Sequence, residues 1–119
     1  MATITKFEDL EIWQLARILC KKVYELTMSF KKKFRLVDQM KASSRSIMEN
    51  TAEGFDRDSR LEFINFLSIA KGSCGELKSQ FYYCFDCKLI NESTFNEFIR
   101  TRILYHQKLK ALLNILINH

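Results

Sequence analysis

Cys84 and Cys87 form a C-x-x-C pair, a spacing used by metal sites and disulfide-exchange centres. A closed zinc site needs two more ligands, and the sequence holds no second C-x-x-C and no H-x3–5-H pair. A disulfide-exchange pair sits at a helix N-terminus after a strand, where free N–H groups stabilise a thiolate. Here the pair falls near the end of a long helical pattern. Glu49 and Glu53, one helical turn apart, offer an acid and a base, but such neighbours commonly both face water. His106 is a lone helical histidine and His119 ends the chain; neither has a nucleophile partner. Bundle di-metal centres use paired Glu-x-x-His motifs, and phosphate loops are glycine-rich; neither pattern occurs. These residues point to a non-enzymatic protein with no metal and no cofactor.

The cations carry more information. Net charge is +5, and it is uneven. Residues 17–45 hold nine Lys/Arg against two acids, a net +7, and residues 93–119 hold four against one, a net +3. Lys31, Lys32, Lys33 and Arg35 cluster in the first inter-helix connection. Arg17 with Lys21, and Lys41 with Arg45, are pairs one helical turn apart on the flanking helices. Together these eight side chains could hold a phosphate backbone. The competing reading is a solvated, solubilising loop.

Positioning these groups requires long helices. Hydrophobic residues make up 47% of the 119, there is no proline, and there are three glycines. A β-rich domain of this size needs turn residues about every ten positions, which this chain cannot supply. Apolar residues recur at three- and four-residue steps in four segments. The first, about 9–30, carries Trp13, Ala16, Leu19, Cys20, Val23, Leu26, Thr27 and Phe30. The second, about 36–55, carries Leu36, Met40, Ser43, Ile47, Thr51 and Gly54. The third, about 59–88, carries Phe63, Leu67, Ala70, Cys74, Leu77, Phe81 and Phe85. The fourth, about 93–118, carries Phe98, Tyr105, Leu109, Leu112 and Leu116. Ser59 with Glu62 and Thr94 with Glu97 have the spacing of capping boxes that start the third and fourth helices. Short connections make neighbours antiparallel, so the expected fold is all-α, one domain over 1–119: an antiparallel up-down-up-down four-helix bundle. No signal peptide or membrane span is visible, which predicts a cytoplasmic location with reduced cysteines. Cys20 and Cys74 fall on apolar stripes and read as small core residues.

Several residues do not fit a plain bundle. Gly54 lies on the apolar face of the second helix, and Gly72 and Gly75 interrupt the third, where each costs about 1 kcal/mol relative to alanine. With Ser43, Ser44, Ala52, Ala70 and Ser73 they suggest a tight crossing of helices two and three; a backbone that touches a ligand is the alternative. Asn50 projects beside an apolar face. Lys41, Arg45, Glu49, Glu53 and Arg57 form one row that predicts an exposed charge ladder. On the far side of the third helix, Ile69 and Tyr83 accompany Glu76 and Gln80. That second apolar side suggests either a subunit interface or ordinary surface scatter.

The runs "FEDLEIWQLA" (7–16), "QMKAS" (39–43), "SIMENTAEGF" (46–55), Arg57 with Ser59, and "EFINFLSIAKGSCGEL" (62–77) carry a resemblance. The chain resembles the small four-helix-bundle proteins encoded in intervening sequences of bacterial 23S ribosomal RNA genes. The pattern N-x-A-E-G-aromatic-x-R-x-S followed by EF-x-x-FL-x-IA-x-GS is specific, and it places Asn50, Glu53, Gly54, Arg57, Gly72 and Ser73 in the shared motif. Met48 stands where proline is common, Thr51 where isoleucine is usual and Asp56 where glycine is frequent. The resemblance implies a ring-like homopentamer with a suspected role in RNA or DNA binding, and no catalytic residues. Five copies of a +5 chain would carry +25. A related group of bundles serves reverse transcriptases as accessory factors, so a protein partner is the second expectation. The leading expectation is an oligomer that binds structured RNA or DNA through its basic residues. The alternative is a protein-interaction scaffold that docks its partner on the far faces of helices three and four.

Overall fold

In a computed structural model, residues 3–118 are described; His119 lies outside them. A short 3-10 turn at Phe7–Asp9 precedes four helices: α1 (Glu11–Thr27), α2 (Phe34–Asp56), α3 (Arg60–Asp86) and α4 (Glu92–Asn118). Each helix packs on its chain neighbours, and α4 closes the bundle against α1, most extensively across α2–α3. The pairings show that neighbours run antiparallel. Lys22, late in α1, pairs with Glu97, early in α4, while Glu11 at the start of α1 meets Lys108 at 3.2 Å. Met40 near the start of α2 touches Cys84 near the end of α3, and Gly54 meets Phe63 and Phe66 at the opposite end. The bundle measures 46 × 23 × 20 Å, the length expected of 27-residue helices at about 1.5 Å per residue.

The stripes bury largely as periodicity requires. Ala16, Leu19, Val23, Met40, Ile47, Leu67, Ala70, Leu77, Phe81, Phe98, Tyr105 and Leu109 form one apolar cluster. Six predicted core positions, Trp13, Leu26, Leu36, Phe85, Leu112 and Leu116, are only half-buried, and Leu10, Ile12 and Cys84 are buried in addition. α2 contributes small polar residues to the core, and two of them have backbone partners. The Thr51 hydroxyl donates to the Ile47 carbonyl at 2.8 Å and that of Ser44 to the Lys41 carbonyl at 3.1 Å. A hydroxyl satisfied by its own helix can be buried at modest cost.

The helix ends correct several expected boundaries. α1 stops at Thr27 rather than residue 30, and α2 begins at Phe34 rather than 36, so Arg35 belongs to the first turn of α2 and not to the connection. Ser59 accepts the Glu62 N–H at 3.0 Å, as its spacing predicts. The expected cap at Thr94 is one turn late. Asn91 accepts the Thr94 N–H at 2.8 Å and α4 starts at Glu92, which leaves Glu97 free to pair with Lys22. That ammonium holds the Glu97 carboxyl below the usual carboxylate range.

α3 ends in a motif the sequence did not announce. Leu89 N–H bonds the Cys84 carbonyl at 2.8 Å and Lys88 N–H bonds that of Phe85 at 3.1 Å, the Schellman arrangement. Lys88 occupies its left-handed position at φ 62°, where a side chain is strained and glycine is usual. Lys88→Gly is therefore expected to raise stability by about 1 kcal/mol, read as a higher denaturant midpoint at unchanged slope. An unchanged or lower midpoint would contradict the strain.

Candidate nucleic-acid interface

The antiparallel return of α3 onto α2 decides where the first group of cations sits. Lys31, Lys32 and Lys33 occupy the α1–α2 connection, with Lys32 in the left-handed region at φ 59°. Behind them a groove of about 470 Å³ opens between the start of α2 and the later half of α3. Lys32, Lys33 and Arg35 line one side of it. Gln39, Gln80 and Ser79 line its polar part, and Phe34 and Tyr83 supply its aromatic surface. Among the described residues no acid lines this groove.

The second group gathers elsewhere, on the α1–α2 face. Trp13, Arg17, Cys20, Lys21, Tyr24 and Met48 line a shallow groove of about 520 Å³. The Arg17 guanidinium lies 5.7 Å from the Trp13 ring, and the Lys41 ammonium lies 4.6 Å from the Tyr24 ring. Aromatic faces attract cations without neutralising them. Arg45 meets Glu49 at 3.2 Å, and this pairing raises the arginine further above its ordinary range. Among the described residues Arg17, Lys21, Lys31, Lys32, Lys33, Arg35 and Lys41 make no ion pair with an acid. The eight expected cations thus form two surfaces rather than one, and seven of them keep their charge unspent.

The shared motif resolves into the α2–α3 seam. The Asn50 amide donates to the Ser46 carbonyl at 2.8 Å and to the Ser46 hydroxyl at 3.0 Å. That hydroxyl lies 2.7 Å from the hydroxyl of Ser73, and Ser43 donates to Glu76 at 3.4 Å. Beyond this polar ladder Gly54 lets the helices approach. A Cβ built there would stand 2.6 Å from the Phe66 Cβ, closer than packed carbons come. Gly72 and Gly75 do not share that role, because a Cβ at either meets nothing within 4 Å. The tight-crossing expectation therefore holds at Gly54 and fails at the two glycines of α3. Glu53 and Arg57 pair with each other at 3.1 Å on the surface, and the guanidinium reaches over the Phe66 ring at 5.0 Å. Glu49 and Glu53 are each held by an arginine one turn away and are exposed.

The family model for the 23S rRNA-intervening sequence protein matches residues 8–111, most of the chain and all of this seam. The chain belongs to that family. Comparison with curated proteins returned no match.

Three of the four cysteines of this family member, Cys20, Cys74 and Cys84, lie within its packing. The Cys84 thiol is buried, donates to the Met40 sulfur at 3.6 Å, and is pushed up to about 11 by burial. Cys87 is exposed just past the C-terminal end of α3. Among the described residues no three His, Cys, Asp or Glu side chains converge, and no helix is long and apolar enough to cross a membrane.

One basic surface escaped the sequence reading. Lys71 and Lys78 of α3 face Arg102, His106 and Lys110 of α4, and burial together with these cations lowers the His106 pKa. Lys71, His106 and Lys110 border a shallow cleft of about 190 Å³. The charge imbalance of residues 93–119 was visible in the sequence; its alignment with lysines of α3 needs the packing of the two helices.

Proposed function

We propose that this member of the family is a non-enzymatic, oligomeric bundle that binds structured RNA or DNA through its basic surfaces. The observation that carries the reading is the set of seven cations without acidic partners: five line two grooves that also present aromatic rings, Lys41 lies over the Tyr24 ring of the second, and Lys31 sits in the connection beside the first. Phosphates neutralised by such side chains release condensed counterions, and that release drives binding. Repetition of the surfaces in an oligomer multiplies the effect through effective concentration. Self-association is supported by apolar side chains that this chain leaves in water. Ile103, Leu104, Ile115 and Ile117 of α4 and Ile69 of α3 are exposed. Gly72 and Gly75 keep the nearby backbone of α3 bare.

Fluorescence anisotropy with a hairpin RNA and a DNA duplex of equal length tests the binding. The affinity is expected to fall steeply and linearly on a log–log plot as salt rises. Salt-insensitive affinity, or none at low salt, would reject the reading. Light scattering at micromolar concentration tests assembly, and a monomer there would reject it.

The exposed isoleucines of α4 equally favour a second reading, in which that face docks another protein. Capture by immobilised chain, with and without nuclease, separates the two. A partner retained after nuclease supports docking.

A further inference from the structure

The groove between α2 and α3 combines three features that a phosphate-tracking surface alone does not require. We infer that it is a pocket for an unpaired nucleotide of a bound strand, an inference that rests on the nucleic-acid reading above. Its cations and Phe34 come from the connection and the first turn of α2 and Tyr83 comes from α3, so positive charge and aromatic surface border one groove, as the phosphate and base of one nucleotide require. Lys32, Lys33 and Arg35 supply positive charge from the connection and the first turn of α2, and no acid is among the described residues that line the groove. Phe34 stands between these cations in sequence and is 78% exposed; Tyr83 faces the same groove from α3 and is 51% exposed. An isolated exposed aromatic is ordinary surface. Two from different helices bordering one basic groove form a stacking platform.

The polar lining distinguishes this groove from a plain platform. The Gln80 Oε1 is buried and accepts no hydrogen bond. A buried carbonyl oxygen left without a donor costs free energy, and a turn of the amide toward the groove would bring it to an N–H on a base edge. Gln39 adds a second amide at the same lip. The volume of about 470 Å³ falls in the range of small-ligand sites. A duplex keeps its bases stacked and paired, so it cannot offer an aromatic face and a base edge together. Loops, bulges and single strands can.

The α1–α2 groove lacks this combination. Its rings, Trp13 and Tyr24, are already faced by Arg17 and Lys41, so it suits backbone contact.

The test compares a labelled ten-nucleotide uridine strand, the equivalent thymidine strand, a blunt duplex and free uridine monophosphate on the intact chain. The single strands are expected to bind more tightly than the duplex. Phe34→Ala and Tyr83→Ala are each expected to weaken single-strand binding by about ten-fold, the loss of one stacked base, and to leave duplex binding unchanged. Both side chains are exposed, so the variants keep the fold, which circular dichroism checks. Full-strength single-strand binding by both variants overturns the pocket while the salt-dependent duplex binding keeps the functional reading. Absence of any nucleic-acid binding overturns both. A mononucleotide that binds as tightly as the strands overturns the assignment to a strand and makes the occupant a free nucleotide.

Discussion

Gly54→Ala is expected to destabilise the bundle by about 3 kcal/mol, at the upper end of what an overpacked core methyl costs. The new Cβ would lie 2.6 Å from the Phe66 Cβ, 3.1 Å from the Phe63 ring and 3.4 Å from the Phe63 carbonyl oxygen. A flexible side-chain tip can yield to such a contact, but a Cβ is fixed to its helix. Relief therefore requires α2 and α3 to separate, and separation stretches the 2.7 Å contact between Ser46 and Ser73. It also loosens the most extensive helix pairing of the molecule. For a domain of this size the loss corresponds to a fall of roughly 10–15 °C in melting temperature. Gly72→Ala is the control. Its methyl enters open space on the surface of a helix and is expected to add up to about 1 kcal/mol in the separated chain. Equal melting temperatures for the two variants would show that Gly54 is not a crossing point.

Changing Lys31, Lys32, Lys33 and Arg35 together to glutamine is expected to have the largest effect on nucleic-acid binding. If each contacts one phosphate, the slope of log affinity against log salt falls by about three to four units, close to 0.9 per contact. The loss should be similar across sequences, because contacts of this kind position a strand without reading it. None of the four makes an ion pair among the described residues, and all four are exposed. The fold should therefore survive, and unchanged thermal melting would verify that. The matching change of Arg17, Lys21 and Lys41 should remove a further two to three units. A slope unaltered by the first set would remove the connection and the start of α2 from the interface.

Legibility from sequence differed from residue to residue. The stripes on α1, α2 and the first two-thirds of α3 were readable because burial on one helix face imposes a 3.6-residue period. The end of α4 was harder. Leu112 and Leu116 keep the period yet remain only half-buried, while Ile115 and Ile117 beside them face water. The cap at Asn91 was missed because Asn91 and Thr94 are both good cap residues. Only the position of the first helical N–H groups separates them. The basic residues were found, but their aromatic partners were not. Phe34 and Tyr83 fall on different helices, and no local pattern announces that they border one groove.

The sequence by itself determined the number of helices, their antiparallel order, most of the buried faces and the family. Each of these depends on period, connection length or local residue identity, which are properties written along the chain. Tertiary structure decided which glycine is a contact. Gly54, Gly72 and Gly75 are the same residue in similar helices, yet only Gly54 lies where two helix axes come close. It also divided eight cations into two surfaces and placed Tyr83 opposite Lys33 across one groove. Axis separation and groove width arise from the packing of whole helices, so no short stretch of residues contains them.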